Sequence, residues 1–116
     1  MKGRPAGGLP SYAQFGQDIL ISEVLFPEHT GIFVDVGARD GVVLSNTYRL
    51  ELNGWTGVAI EPHPDLFKQL SATRSCQLVN AAVSSTEGSV DFLKMNEEPL
   101  GQSGILTTND RVTALR

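Results

Sequence analysis

The chain has 116 residues, a net charge of −4, 41% hydrophobic and 19% charged residues, enough for one small domain with a modest core. No basic stripe suits a phosphate backbone, and no apolar run approaches the roughly 18 residues of a membrane span, so neither nucleic acid nor membrane is expected as a partner. A single cysteine, Cys76, excludes an internal disulfide framework and a cysteine-based zinc cluster.

Residues 1–10 hold three glycines and two prolines and read as a flexible tail. They lack the apolar h-region of a secretory signal, so a cytoplasmic protein is expected. In residues 11–26, Phe15, Ile19, Leu20 and Val24 fall near helical spacing, Asp18 is a candidate N-cap, and Pro27 stops the helix. That helix is expected to pack as a lid on a sheet edge. Residues 31–36 form an apolar strand that runs through Asp35 into Gly37 and Gly41. Ser45 or Asn46 would cap the next helix, with Leu44, Tyr48 and Leu52 on one face and Asn53-Gly54 as its stop. Residues 55–61 are a second strand ending in Glu61, with Trp55 as a core anchor. Strand, crossover helix and strand make a right-handed βαβ unit.

Pro62-His63-Pro64-Asp65 ends that strand and sets a proline in the first turn of a third helix, whose buried side is Leu66, Phe67 and Leu70. Residues 77–83 read as a third strand, rich in small residues at Asn80-Ala81-Ala82. A turn at 84–88 leads to a hairpin-paired strand over 89–95. Residues 96–104 read as irregular, and 105–116 as a short strand or a tail. The fold class is α/β, with three parallel strands, crossover helices and a hairpin strand. No linker divides it.

Two adjacent parallel strands, one ending in a glycine turn and the next in a carboxylate, describe a nucleoside pocket. Gly37 and Gly41 let backbone approach a ligand closely. The dinucleotide fingerprint is incomplete, because its middle glycine is missing. Asp35 would repel a pyrophosphate but suits an ammonium or sulfonium charge, which favours S-adenosylmethionine over NAD. An aspartate that merely caps backbone amides is the plainer alternative for Asp35. Glu61 is placed to accept from ribose hydroxyls, and Asn80 to meet an adenine edge, with Ala81 and Ala82 leaving room for the ring. A turn residue satisfying its own backbone describes Asn80 equally well. His63, between two prolines, reads as a rigid surface residue rather than a general base, and His29 as solvated. The two histidines lack metal-ligand spacing, and no metal is expected.

With these residues in hand, the chain resembles the FkbM family of S-adenosylmethionine-dependent methyltransferases. The likeness runs through residues 11–18, through 33–41, through Leu44-Ser45-Asn46-Thr47-Tyr48 with Leu50-Glu51, through Gly54-Trp55 to Ile60-Glu61-Pro62, and through residues 79–84. It implies a Rossmann-like methyltransferase fold over residues 11–116. Asp35, Gly37 and Gly41 would then hold the methionine part of the cofactor, Glu61 the ribose, and Asn80 and Ala81 the adenine side, with Ala38 and Pro62 also among the cofactor-binding residues. Gln17 and Asp18 would close over the methionine end. Arg39 stands where the family often has asparagine. The resemblance implies O-methylation of a hydroxyl on a sugar or natural product, with a small-molecule or glycan as acceptor.

The family continues into a fourth strand with a lysine–aspartate–glutamate–glycine motif that this sequence does not reach. The fold is therefore expected to be incomplete, with the acceptor half missing and no general base assigned. A free sheet edge would remain, open to a second copy of the chain. The competing readings are a non-catalytic cofactor-binding module and, more remotely, a fragment of an NAD-dependent oxidoreductase.

Overall fold

A computed structural model describes residues 8–93, 104–105 and 110–115. The expectations for most of the tail at 1–10 and for 96–103 lie outside the described residues.

The protein is a mixed α/β structure. Strands β1 (Ile32–Val36), β2 (Thr56–Ile60) and β3 (Gln77–Val79) form a parallel sheet in the order β1-β2-β3. Phe33 is in register with Gly57, Asp35 with Ala59, and Ile60 with Val79. A second sheet has the order β4-β7-β5-β6, with β4 (Ala82–Val83), β5 (Gly88–Leu93), β6 (Gly104–Ile105) and β7 (Asp110–Leu115). The third strand is thus shorter than expected. Its register breaks at Asn80 and Ala81, and Ala82 starts a strand of the other sheet. The strand over 88–93 has antiparallel partners, as a hairpin strand would, but they are β6 and β7 from the far end of the chain.

Alternation along β1 sends Phe33 into the core and leaves Ile32, Val34 and Val36 exposed. The buried side packs under α3 (Pro64–Thr73), where Leu70 meets Ala38 and Ala59, with Phe67, Cys76 and Leu78 around them. Leu66 and Leu70 are buried as expected. The start of α3 corrects the surface reading of His63, which is buried. Pro64 occupies the first helical position, and the two following amides need an acceptor. His63 Nδ1 accepts from Asp65 N at 3.2 Å and Leu66 N at 3.4 Å.

Helix α2 (Tyr48–Leu52) starts at an N-cap residue, Thr47, that makes no side-chain cap bond. Ser45 Oγ does that work, accepting from Thr47 N at 3.2 Å and Tyr48 N at 2.9 Å. Its buried residues are Arg49 and Leu50, whereas the expected face members Leu44 and Leu52 are exposed. Asn53 ends it and Gly54 follows at φ 96°, the left-handed geometry that the stop signal requires.

The opening segment departs furthest from expectation. One helical turn, α1 (Gln17–Ile19), runs into a π-helical stretch, Leu20–Leu25, and the N-cap is Gly16 rather than Asp18. The apolar stripe faces outward: Phe15 is 79% exposed, and Ile19, Leu20 and Val24 are exposed with it. The buried residues are polar, Asp18 and Ser22. Each finds its partner inside: Asp18 accepts from Ser11 Oγ and main-chain N–H groups, and Ser22 meets the buried Arg49. Its Nε donates to Ser22 Oγ at 3.1 Å, its Nη2 to Glu23 Oε1 at 2.7 Å, and its Nη1 to the carbonyls of Leu9 and Pro10.

Cys76 packs against the core cluster. Burial, aided by the neighbouring Glu51 carboxylate, raises its thiol to about 11. A thiolate is the reactive species. At pH 8 iodoacetamide is expected to alkylate Cys76 about 100-fold more slowly in the folded protein than in urea, where the thiol returns to its ordinary value of 9.0. Equal rates in a mass-spectrometric time course would contradict this.

Candidate functional site

The carboxyl ends of β1, β2 and β3 bring together the strand-end residues singled out in the sequence. After Val36 the chain turns at Gly37, whose N–H donates to Ile60 O at 2.8 Å, and Ala38 N reaches the same carbonyl at 3.0 Å. The turn is therefore pinned to the end of β2. Gly37 has φ 78°, and a Cβ built there meets nothing within 4 Å. This glycine faces open space. Gly41, at φ 88°, is packed instead: a Cβ would lie 2.7 Å from Leu70 Cδ1, 2.7 Å from Arg74 Cγ and 2.8 Å from Thr73 Oγ1. The two glycines thus do different work, one leaving room and the other allowing close packing. Between them Asp40 Oδ1 accepts from Val42 N and Val43 N, both at 2.9 Å.

Glu61 joins three loops. Its Oε1 accepts from Arg39 N at 2.7 Å and its Oε2 from His63 N at 2.8 Å. Its carbonyl accepts from Asn80 Nδ2 at 2.8 Å, and the same amide reaches Pro62 O at 3.3 Å. The residue is only 4% exposed. Burial pushes its carboxyl above the ordinary value, against the two main-chain N–H groups and the nearby His63 and Arg39, which favour the charged form. Arg39 adopts φ 58°, a left-handed geometry that asparagine enters more readily than arginine.

Asp35 is half-buried near the end of β1, and its Oδ2 accepts from Thr47 Oγ1 at 2.6 Å. Thr47 Oγ1 in turn accepts from Arg74 Nη2 at 3.0 Å. Ala38 and Ala81 are buried, and Asn80 itself is exposed. Gln17 and Asp18 hold the opening segment together. Asp18 is 0% exposed, and its carboxylate accepts from Ser11 Oγ at 2.6 Å, Tyr12 N at 2.8 Å, Ala13 N at 3.3 Å and Ile19 N at 2.9 Å. Gln17 Oε1 accepts from Phe15 N at 2.8 Å.

Thr47 and Arg74 carried no chemical signal in the sequence. Arg74, directly after α3, looks like any cation at a helix end. Only the pairing of β1 with β2, and the packing of α3 over both, places it beside Asp35. A cavity of about 400 Å³ lies at the other end of the strands, lined by Glu51, Trp55, Thr56, Gly57, Ser75, Cys76 and Gln77. It shares no residue with the strand-end constellation.

A family model described as the methyltransferase FkbM domain matches residues 35–112. No curated protein and no solved structure matches the chain. The family match opens on Asp35 and takes in the glycine turn, Glu61 and Asn80. The chain, with its acid–glycine turn stitched to a second strand-end acid, belongs to the FkbM methyltransferase domain family.

Proposed function

We propose that the protein binds S-adenosylmethionine at the carboxyl ends of β1 to β3, on a partial Rossmann-like fold. Its activity on this reading is O-methylation of a hydroxyl on a sugar or natural product. The observation that carries the reading is the meeting of Asp35, the open Gly37 turn and Glu61 at the ends of two paired parallel strands. The bound cofactor supplies an electrophilic methyl group. The Asp35 carboxylate favours the positive charge of the methionine part, and Gly37, Ala38 and Gly41 shape the turn beneath it. Each Glu61 oxygen keeps a lone pair beyond the main-chain N–H it accepts, which is what ribose hydroxyls need. Pro62 shapes the ribose side, while Asn80 and Ala81 border the adenine. Gln17 and Asp18 serve by organising the opening segment.

Calorimetry with S-adenosylhomocysteine tests the assignment. The native protein is expected to bind, and Gly37→Ala to lose at least about tenfold in affinity. Its folding cost is only the left-handed strain of a non-glycine residue, about 1–2 kcal/mol, because its Cβ meets no protein atom within 4 Å. Equal affinities would remove the turn from the site. Displacement of the ligand by NAD would favour the oxidoreductase reading instead.

A further inference from the structure

We infer that Thr47 and Arg74 are positioning residues that aim the Asp35 carboxylate at its ligand, an inference that rests on the binding reading above. The Arg74 side chain is 0% exposed and all three guanidinium nitrogens are spoken for. Nε donates to Glu51 Oε1 at 3.1 Å, Nη1 to Gly41 O at 3.1 Å and Nη2 to Thr47 Oγ1 at 3.0 Å. The guanidinium carbon lies 5.5 Å from the ring centroids of both Phe33 and Tyr48, so the fork is held between two aromatic faces.

That arrangement fixes a proton. Arginine donates and cannot accept. The Thr47 oxygen therefore accepts from Arg74, and its single hydrogen is left to point at Asp35 Oδ2, 2.6 Å away. One carboxylate oxygen is thereby committed to the protein, and the other is oriented for a ligand cation. The same guanidinium holds the Gly41 carbonyl, so one group sets both the acid and the far end of the glycine turn. A core filler between Phe33 and Tyr48 would need only apolar bulk, since a buried ion pair adds little net stability over well-packed hydrophobic residues.

The test is a double-mutant cycle on S-adenosylhomocysteine affinity, read by calorimetry with each variant's melting curve alongside. Thr47→Val removes the hydroxyl at constant shape and is expected to weaken binding about tenfold, the scale of one hydrogen bond. Thr47→Ser restores the hydroxyl and should bind within about twofold of the native protein. Asp35→Asn should weaken binding, and adding Thr47→Val to it should cost little more, because both act through one carboxylate. Arg74→Lys keeps the charge but cannot span three acceptors, and is expected to behave like Thr47→Val. Full additivity of Thr47→Val and Asp35→Asn, or native affinity in Thr47→Val, would overturn the positioning role while leaving the cofactor reading intact. Should Thr47→Val melt too low to titrate, Thr47→Ser and Thr47→Ala carry the same comparison. No binding by the native protein would defeat the cofactor reading and the relay with it.

Discussion

Gly57→Ala is expected to cost more than about 3 kcal/mol, beyond the usual 1–3 kcal/mol of overpacking. In a domain of this size that lowers the melting temperature by at least about 12 °C. A Cβ at this position would sit 2.2 Å from Phe33 O and 2.6 Å from Phe33 Cγ and Cδ1. Neither neighbour can give way cheaply. The carbonyl belongs to β1, and Phe33 and Gly57 are register partners, so relief means parting the two strands. The Phe33 ring is buried and carries one side of the Arg74 guanidinium, so the disturbance reaches Thr47 and Asp35 as well. Thermal melts and urea titration measure the loss. A melting temperature within about 3 °C of the native value, less than 1 kcal/mol by the same scaling, would contradict the close approach.

Glu61→Gln is expected to destabilise the protein although it removes a buried charge. Both carboxylate oxygens accept main-chain N–H groups, whereas an amide has one accepting oxygen and turns a donor toward the other N–H. A buried donor left without a partner costs roughly 1–3 kcal/mol. Glu61→Ala, which strips both acceptors, should cost more. The pH dependence separates this from simple loss of packing. The carboxyl of Glu61 lies above its unfolded value of 4.5, raised by burial. Between those two values the folded state holds more protons than the unfolded one, so this group's contribution to stability falls as pH rises. The contribution is complete below about 4.5 and is lost as pH climbs through the folded value. Glu61→Gln lacks that decline, so the gap between the native protein and the variant should narrow as pH rises across the window. Urea melts at closely spaced pH values read it. A gap that widens with pH would show that the carboxyl is not raised. Glu51 should act in the opposite sense. Burial raises its carboxyl, but bonds from Cys76 and Ser75 and the Arg74 cation outweigh that and hold it below the ordinary value. Its contribution is lost as pH falls.

Much of the geometry of the candidate site is legible in the sequence because local signals and long-range structure agree there. An apolar run broken by one acid and followed by two glycines can hardly be anything but a strand feeding a backbone turn, and the pairing of β1 with β2 brings Glu61 to it. Pro64, with Leu66, Phe67 and Leu70, marked α3 in the same way. The opening segment departs from its pattern because helical spacing finds a stripe but not the side that turns inward. Arg49, far along the chain, draws Ser22 and Glu23 toward it, and that attraction outweighs the apolar stripe. The third strand is shorter than its sequence suggests because nothing local shows that Asn80 will spend its amide on the carbonyls of Glu61 and Pro62. His63 is buried for a related reason: flanking prolines suggest an exposed loop, yet the first amides of α3 need its ring nitrogen. The last strand pairs with β4 and β5 across long stretches of chain, a relation that no short window contains.

The outward-facing opening segment has a thermodynamic corollary. It is fastened by Arg49, Asp18 and Ser22 more than by greasy contact, with the edge-on Tyr12–Tyr48 ring pair at 4.8 Å as a minor addition. Releasing it would wet little new hydrocarbon, so its undocking should carry a small heat capacity and a shallow denaturant slope. Amide hydrogen exchange over residues 17–25 is then expected to proceed at rates nearly indifferent to low urea, while exchange in β2 slows or quickens with the stability of the whole sheet.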